Sequence, residues 1–184
     1  MTTMVAGIGN IFLGDDAFGV ELAHRLIDET LPDGVRVADY GIRGMHLAYD
    51  LLDMAPETTI LLDAVSRGDE PGTIYVLEIG PGDVSGIEPS TVDAHGMSPD
   101  AVLALLDNLG GSAGRTLLVG CEPASTEEVI GLSTTVAAAV DRAVGVVMDL
   151  LTDKKGSDKN VPSAASTTVL GVSDRSGHRS GTGV

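Results

Sequence analysis

A chain of 184 residues, 43% hydrophobic but only 3% aromatic and without Trp, is the size of one domain whose core Leu, Val, Ile and Ala must supply. No apolar run reaches the roughly 18–20 residues of a membrane-spanning helix, the first residues lack a signal peptide's basic stretch, and the single Cys121 cannot form an internal disulfide, so the expected compartment is a reducing cytoplasm. The formal net charge of −16 is concentrated in residues 1–152, which hold six arginines, no lysine and 24 carboxylates; this surface repels nucleic acid and anionic membranes and suits a cationic partner, a metal ion or a basic protein segment, although solubility alone is the simpler account.

Met4–Gly9 reads as a short buried strand. Ala17–Thr30 reads as a helix, with Val20, Ala23, Leu26, Ile27 and Leu31 on one face. Val35–Tyr40 alternates as a strand does, and Gly44–Met54 carries Met45, Ala48, Leu51 and Leu52 at helical spacing. Thr59–Val65 is a continuous apolar run, the pattern of a central strand covered on both faces, and Thr73–Ile79 is a further strand. Gly80–His95, rich in Gly and Pro, is expected to be largely loop. Ser98-Pro99-Asp100 opens a helix to about Leu109, with a capping hydroxyl, a proline in the first turn and a carboxylate near the positive dipole end. Arg115–Gly120 is the last strand and Ser133–Leu151 the closing helix. The alternation predicts a three-layer α/β fold, a mainly parallel twisted sheet of about five strands between helices, in one domain over residues 1–152. Residues 153–184 are rich in Ser, Gly and Thr and lack apolar periodicity, so they are expected to form a flexible tail.

Three places could carry chemistry. The first is the turn from Gly7 to Gly19, GIGNIFLGDDAFG. It lacks the G-x-G-x-x-G spacing of a dinucleotide site, and Asp15 and Asp16 stand where a diphosphate would lie, so the loop should attract a cation. The plainer reading makes Asp15 a helix N-cap and Asp16 a dipole partner. The second is Asp63, a carboxylate late in a buried strand, costly unless paired, metal-bound or accepting backbone N–H bonds from its own turn. In open parallel sheets ligands sit beyond the carboxyl ends of the strands, an edge that both places can reach. The third is His95, in a loop just before a helix. One imidazole with two carboxylates suits a borderline cation such as nickel or zinc. His24 and His46 fall inside helices and read as structural, and Cys121 reads as a buried thiol. No nucleophile elbow and no zincin His pair appears.

These residues together resemble the hydrogenase maturation proteases, which cut the C-terminal extension from the large subunit of nickel-iron hydrogenases. The likeness rests on GIGNIFLGDDAFG, on Asp39 with Gly41 and Gly44, on LLDAV, on Asp-Ala-His before a helix, and on LLVGCEPAS and GLSTTV, across about residues 4–150. It implies an α/β fold and a metal-contacting triad that falls on Asp16, Asp63 and His95. The family often has Glu at the first of these, so Asp16 is one methylene shorter. Asp39 matches a further acidic position, for which a role in cleavage has been suggested, although its neighbours Tyr40 and Arg43 depart from the Gly and Thr of relatives. The implied activity is that of an endopeptidase acting on the hydrogenase large-subunit precursor, with nickel supplied by that precursor rather than kept as a resident cofactor. Two alternatives use the same residues differently. One is a non-catalytic, nickel-dependent chaperone or check-point for the precursor; the other is a nucleotide-binding α/β protein.

Overall fold

The computed structural model describes residues 2–80 and 98–152. His95, most of the expected loop before it and the expected tail lie outside the described residues. In chain order the elements are β1 (Thr3–Ile8), a 3-10 turn (Gly14–Ala17), α1 (Phe18–Ile27), β2 (Val35–Gly41), α2 (Gly44–Met54), β3 (Thr58–Ala64), β4 (Ile74–Ile79), α3 (Pro99–Asn108), β5 (Arg115–Cys121) and α4 (Thr134–Thr152). The five strands form one sheet in the order β2-β1-β3-β5-β4, parallel except for β4, which runs antiparallel to β5. Residues 65–73, between β3 and β4, are too few for a helical crossover, which takes a dozen or more, so β4 returns in the opposite direction.

Both faces of the sheet are covered, which explains why β1 is buried at every position. Alternate side chains enter opposite layers. Val5, Ile60, Leu62 and Val119 pack with Leu22 and Leu26 of α1 and Val136 and Val140 of α4. Met4, Ala6, Leu61 and Leu118 pack with Leu47 and Leu51 of α2 and Val102 and Leu106 of α3. The chain thus leaves β1 over one face to reach β2, then returns over the other face to reach β3. The strand order reverses between β1 and β3, and a crevice opens there at the carboxyl ends.

The expected boundaries shift in one informative place. The first helix begins one residue later than Ala17, after a tighter turn, and ends at Ile27 instead of Thr30. Asp28 and Glu29 are poor residues for a helix C-terminus, where the dipole is negative. Elsewhere local chemistry acts as read: the Ser98 hydroxyl accepts a hydrogen bond from the Ala101 N–H (3.4 Å) and caps α3, with Pro99 directly after it.

Candidate functional site

The crevice between β1 and β3 has a volume of about 370 Å³ and is lined by residues that include Gly9, Asn10, Asp16, Ile42, Asp63 and Ser98. Its geometry starts with glycine. Gly9 leaves β1 with φ +136°, and a Cβ there would overlap the carbonyl oxygen of Asp16. The absence of that atom lets the loop fold back. The Asn10 N–H then donates to Asp16 Oδ2 (2.7 Å), and Asn10 Oδ1 accepts from the Phe12 N–H (3.0 Å). Gly19 performs a related task one turn later, because a Cβ would meet the carbonyl oxygens of Leu62 and Ile8. These close approaches bring Asp16 beside the end of β3.

Asp63 enters the same crevice from the last turn of β3, with Oδ1 accepting from its neighbour's Ala64 N–H (2.9 Å). Burial holds its carboxyl well above the usual range, and the negative charge of Asp16 pushes it further the same way. The Ala64 N–H opposes the shift and Asp100, at the start of α3, adds to it. The negative charge of Asp16 beside a buried Asp63 makes this pair one in which Asp63 keeps its proton more readily than an isolated aspartate does. Such a pair can hold a proton, release it when a cation arrives, and offer carboxylate oxygens to that cation.

The structure separates the other expected residues. Asp15 is buried and faces away from the crevice chemistry. Its Oδ1 accepts from Ser133 N–H (2.6 Å) and its Oδ2 from Ala124 and Ser125 N–H (2.8 and 3.2 Å). The expectation that it caps its own helix is therefore corrected: it ties the loop from Glu122 to Ser133 onto the β1 turn, at the start of α4. Asp39 lies on the α1 side of β2 and pairs with His24 (3.1 Å) instead of lining the crevice; its Oδ1 is buried without a hydrogen-bond partner among the described residues. The Arg43 guanidinium donates to the Asp39 and Tyr40 carbonyls, which explains an arginine after the β2 turn. Cys121 is buried, and that burial, aided by Asp15, pushes its thiol up to about 12, so it is no nucleophile.

Sequence reasoning did not find Glu122. Its buried carboxylate accepts from Tyr75 Oη and from the backbone N–H groups of Arg67 and Gly68, clamping the turn after β3. A carboxylate directly after an apolar strand, as with Asp63, was the available signal. Nor did it find Ile42 or Ser98 as crevice residues, because their placement depends on which strand ends are neighbours.

Among the described residues no three His, Cys, Asp or Glu side chains are placed to hold a metal ion. The crevice supplies two carboxylates, and the expected third group, His95, lies outside the described residues, three positions before the crevice-lining Ser98. No described helix is long and apolar enough to cross a membrane.

Fold and crevice together define an α/β protein with an acidic site at its topological switch point, and comparison with known proteins gives that class its family. The family model described as hydrogenase maturation protease matches residues 20–150. The hydrogenase 2 maturation protease of Escherichia coli is 34% identical over 153 residues, 82% of this chain and 91% of that protein. The solved structure of the hydrogenase maturating endopeptidase HybD from E. coli superposes with a TM-score of 0.66 at 30% identity, over 84% of this chain and 94% of that one. A hydrogenase 2 maturation peptidase from a Thaumarchaeota archaeon gives 0.63 at 32% identity, over 82% and 98%. The chain belongs to the hydrogenase maturation protease family and is a hydrolase of that family, as the sequence resemblance implied.

Proposed function

We propose that this protein is the endopeptidase that removes the C-terminal extension of a nickel-loaded nickel-iron hydrogenase large-subunit precursor, and that Asp16, Asp63 and His95 face the nickel which the precursor carries. The observation that carries the reading is the meeting of Asp16 and Asp63 in one crevice at the switch point, close enough for the charge of one to raise the pKa of the other. Chain connectivity supports the third member, since three residues reach at most about 11 Å from Ser98. The nickel is part of the substrate. Oxygen and nitrogen donors suit it, and a set of three leaves positions for the precursor's own ligands. Asp63 gives up its proton as the metal approaches, so recognition is coupled to proton release. The metal can polarise the scissile carbonyl or a bound water, and the crevice carboxylates can take the proton of an attacking water. Asp39, paired with His24 on the α1 side of β2, lies outside this crevice.

The test is co-expression with a candidate precursor, read by intact mass. Wild type is expected to shorten it. Asp16→Asn, Asp63→Asn and His95→Ala are each expected to leave it full-length while circular dichroism shows an intact fold. Shortening by all three variants at the wild-type rate would refute the assignment, and a bound but never shortened precursor with wild type would make the protein a check-point instead.

A further inference from the structure

Most large apolar side chains of the described residues are inside, but five stand exposed around the mouth of the crevice. Ile11 (44% exposed) and Phe12 (60%) lie between Asn10 and Leu13, both of which line it; Ile42 (55%) lines it from the end of β2. Val129 (55%) and Ile130 (77%) come from the loop that Asp15 ties down, where the Val129 carbonyl accepts from the Gly14 N–H (2.8 Å). The rim is therefore held by hydrogen bonds on two sides. Away from the crevice, exposed Ile27 and Leu109 lie at the ends of α1 and α3, and exposed Met45 and Tyr49 lie on α2. Exposed apolar side chains gathered on segments that border a site mark a surface that another molecule covers.

Charge says what kind of molecule. Glu127 and Glu128 adjoin Val129 and are exposed. All six arginines of residues 1–152 are occupied elsewhere: Arg25 on Asp141, Arg36 near Asp50, Arg43 on β2 carbonyls, Arg67 over the Tyr75 ring, Arg115 on Glu78 and Arg142 on the Gly72 carbonyl. The acidic flank of the rim thus has no internal cation among the described residues. A second copy of the chain would bring the same negative charge and be repelled.

We propose that Ile11, Phe12, Ile42, Val129 and Ile130 form the docking surface for an apolar segment of the precursor that carries basic residues on its Glu127–Glu128 side. This rests on the reading of the chain as the precursor-processing protease and adds where the precursor is gripped. Docking buries apolar area whether or not a bond is cut, so it sets affinity more than the chemical step.

The experiment uses the full chain and a nickel-loaded large-subunit precursor. For the exposed double variant Phe12→Ser/Ile130→Ser, KM and the Kd for the precursor are expected to rise about tenfold or more, the loss of one or two buried apolar side chains, with kcat within about twofold. Glu127→Gln/Glu128→Gln is expected to flatten the salt dependence of precursor association. Unchanged Kd and KM in the first variant would overturn the proposal, as would loss of a wild-type dimer in sedimentation, since a second copy would then be the occupant. Because Kd is read without cleavage, the rim and the catalytic reading fail separately: a precursor bound tightly by wild type through the rim but never cut removes only the latter, and no binding removes both.

Discussion

Asp63 keeps its proton at a pH where an ordinary aspartate has lost it, because burial and the neighbouring Asp16 both penalise its charge. Folding therefore raises its pKa, and the associated stability is fully present below the unfolded pKa and lost as pH rises through the folded one. Each unit between the two costs about 1.4 kcal/mol above the folded value. Asp63→Asn keeps an oxygen for the Ala64 N–H but carries no charge. It is expected to raise the melting temperature by a few degrees at pH 8, with the gain shrinking to nothing toward pH 4; thermal melts across that range check it. A buried strand position by itself suggests the opposite, a loss of stability on substitution, and the raised pKa is the reason to reverse the sign. Asp16→Asn removes one cause of the shift, so the Asp63 carboxyl is expected to titrate at lower pH in that variant. Carboxyl carbon NMR reads this directly, and an unmoved titration would mean that the two groups do not share the crevice.

At the scale of elements, one buried carboxylate organises a loop that no regular structure supports. Asp15 accepts three backbone N–H bonds from residues 124, 125 and 133. Asp15→Ala leaves those donors without their acceptor, at about 1–3 kcal/mol for each one that water cannot reach. The expected outcome is a melting temperature lower by several degrees and new proteolytic cutting between residues 122 and 133, with Asp15→Asn milder; resistance equal to wild type would show that the loop is held otherwise. The strands and helices were readable because their signals are local: burial on both faces gives a continuous apolar run, and Ser98-Pro99 is a cap in any context. The direction of β4 and the partners of Asp15 were not, because both depend on which segments meet in space. Asp16 and Asp63 stand between these cases. Each comes after a parallel strand or at its end, so a shared edge could be inferred, whereas their electrostatic contact depends on close packing at Gly9 and Gly19.

For the whole molecule, composition divides the chain at about residue 152. Through residue 152 the net charge is −18 and apolar residues recur with helical or strand period; beyond it the charge is +2 and no period remains. α4 is described as far as Thr152, whose hydroxyl donates to the Met148 carbonyl (2.8 Å). From composition alone, residues 153–184 are expected to hold too few large apolar side chains to offset the entropy of ordering them. Their few cations are the one feature that could draw them onto the acidic body, and exposed ion pairs contribute only about 0–1 kcal/mol each. Truncation after Lys155 is therefore expected to move the melting temperature by no more than about 1–2 °C, less than the roughly 2–4 °C that one kcal/mol produces in a domain of this size. It is also expected to leave precursor cleavage intact, since every described crevice and rim residue lies at or before Ile130. A fall of about 10 °C, corresponding to several kcal/mol, would show that the segment packs on the body and that the domain extends beyond residue 152.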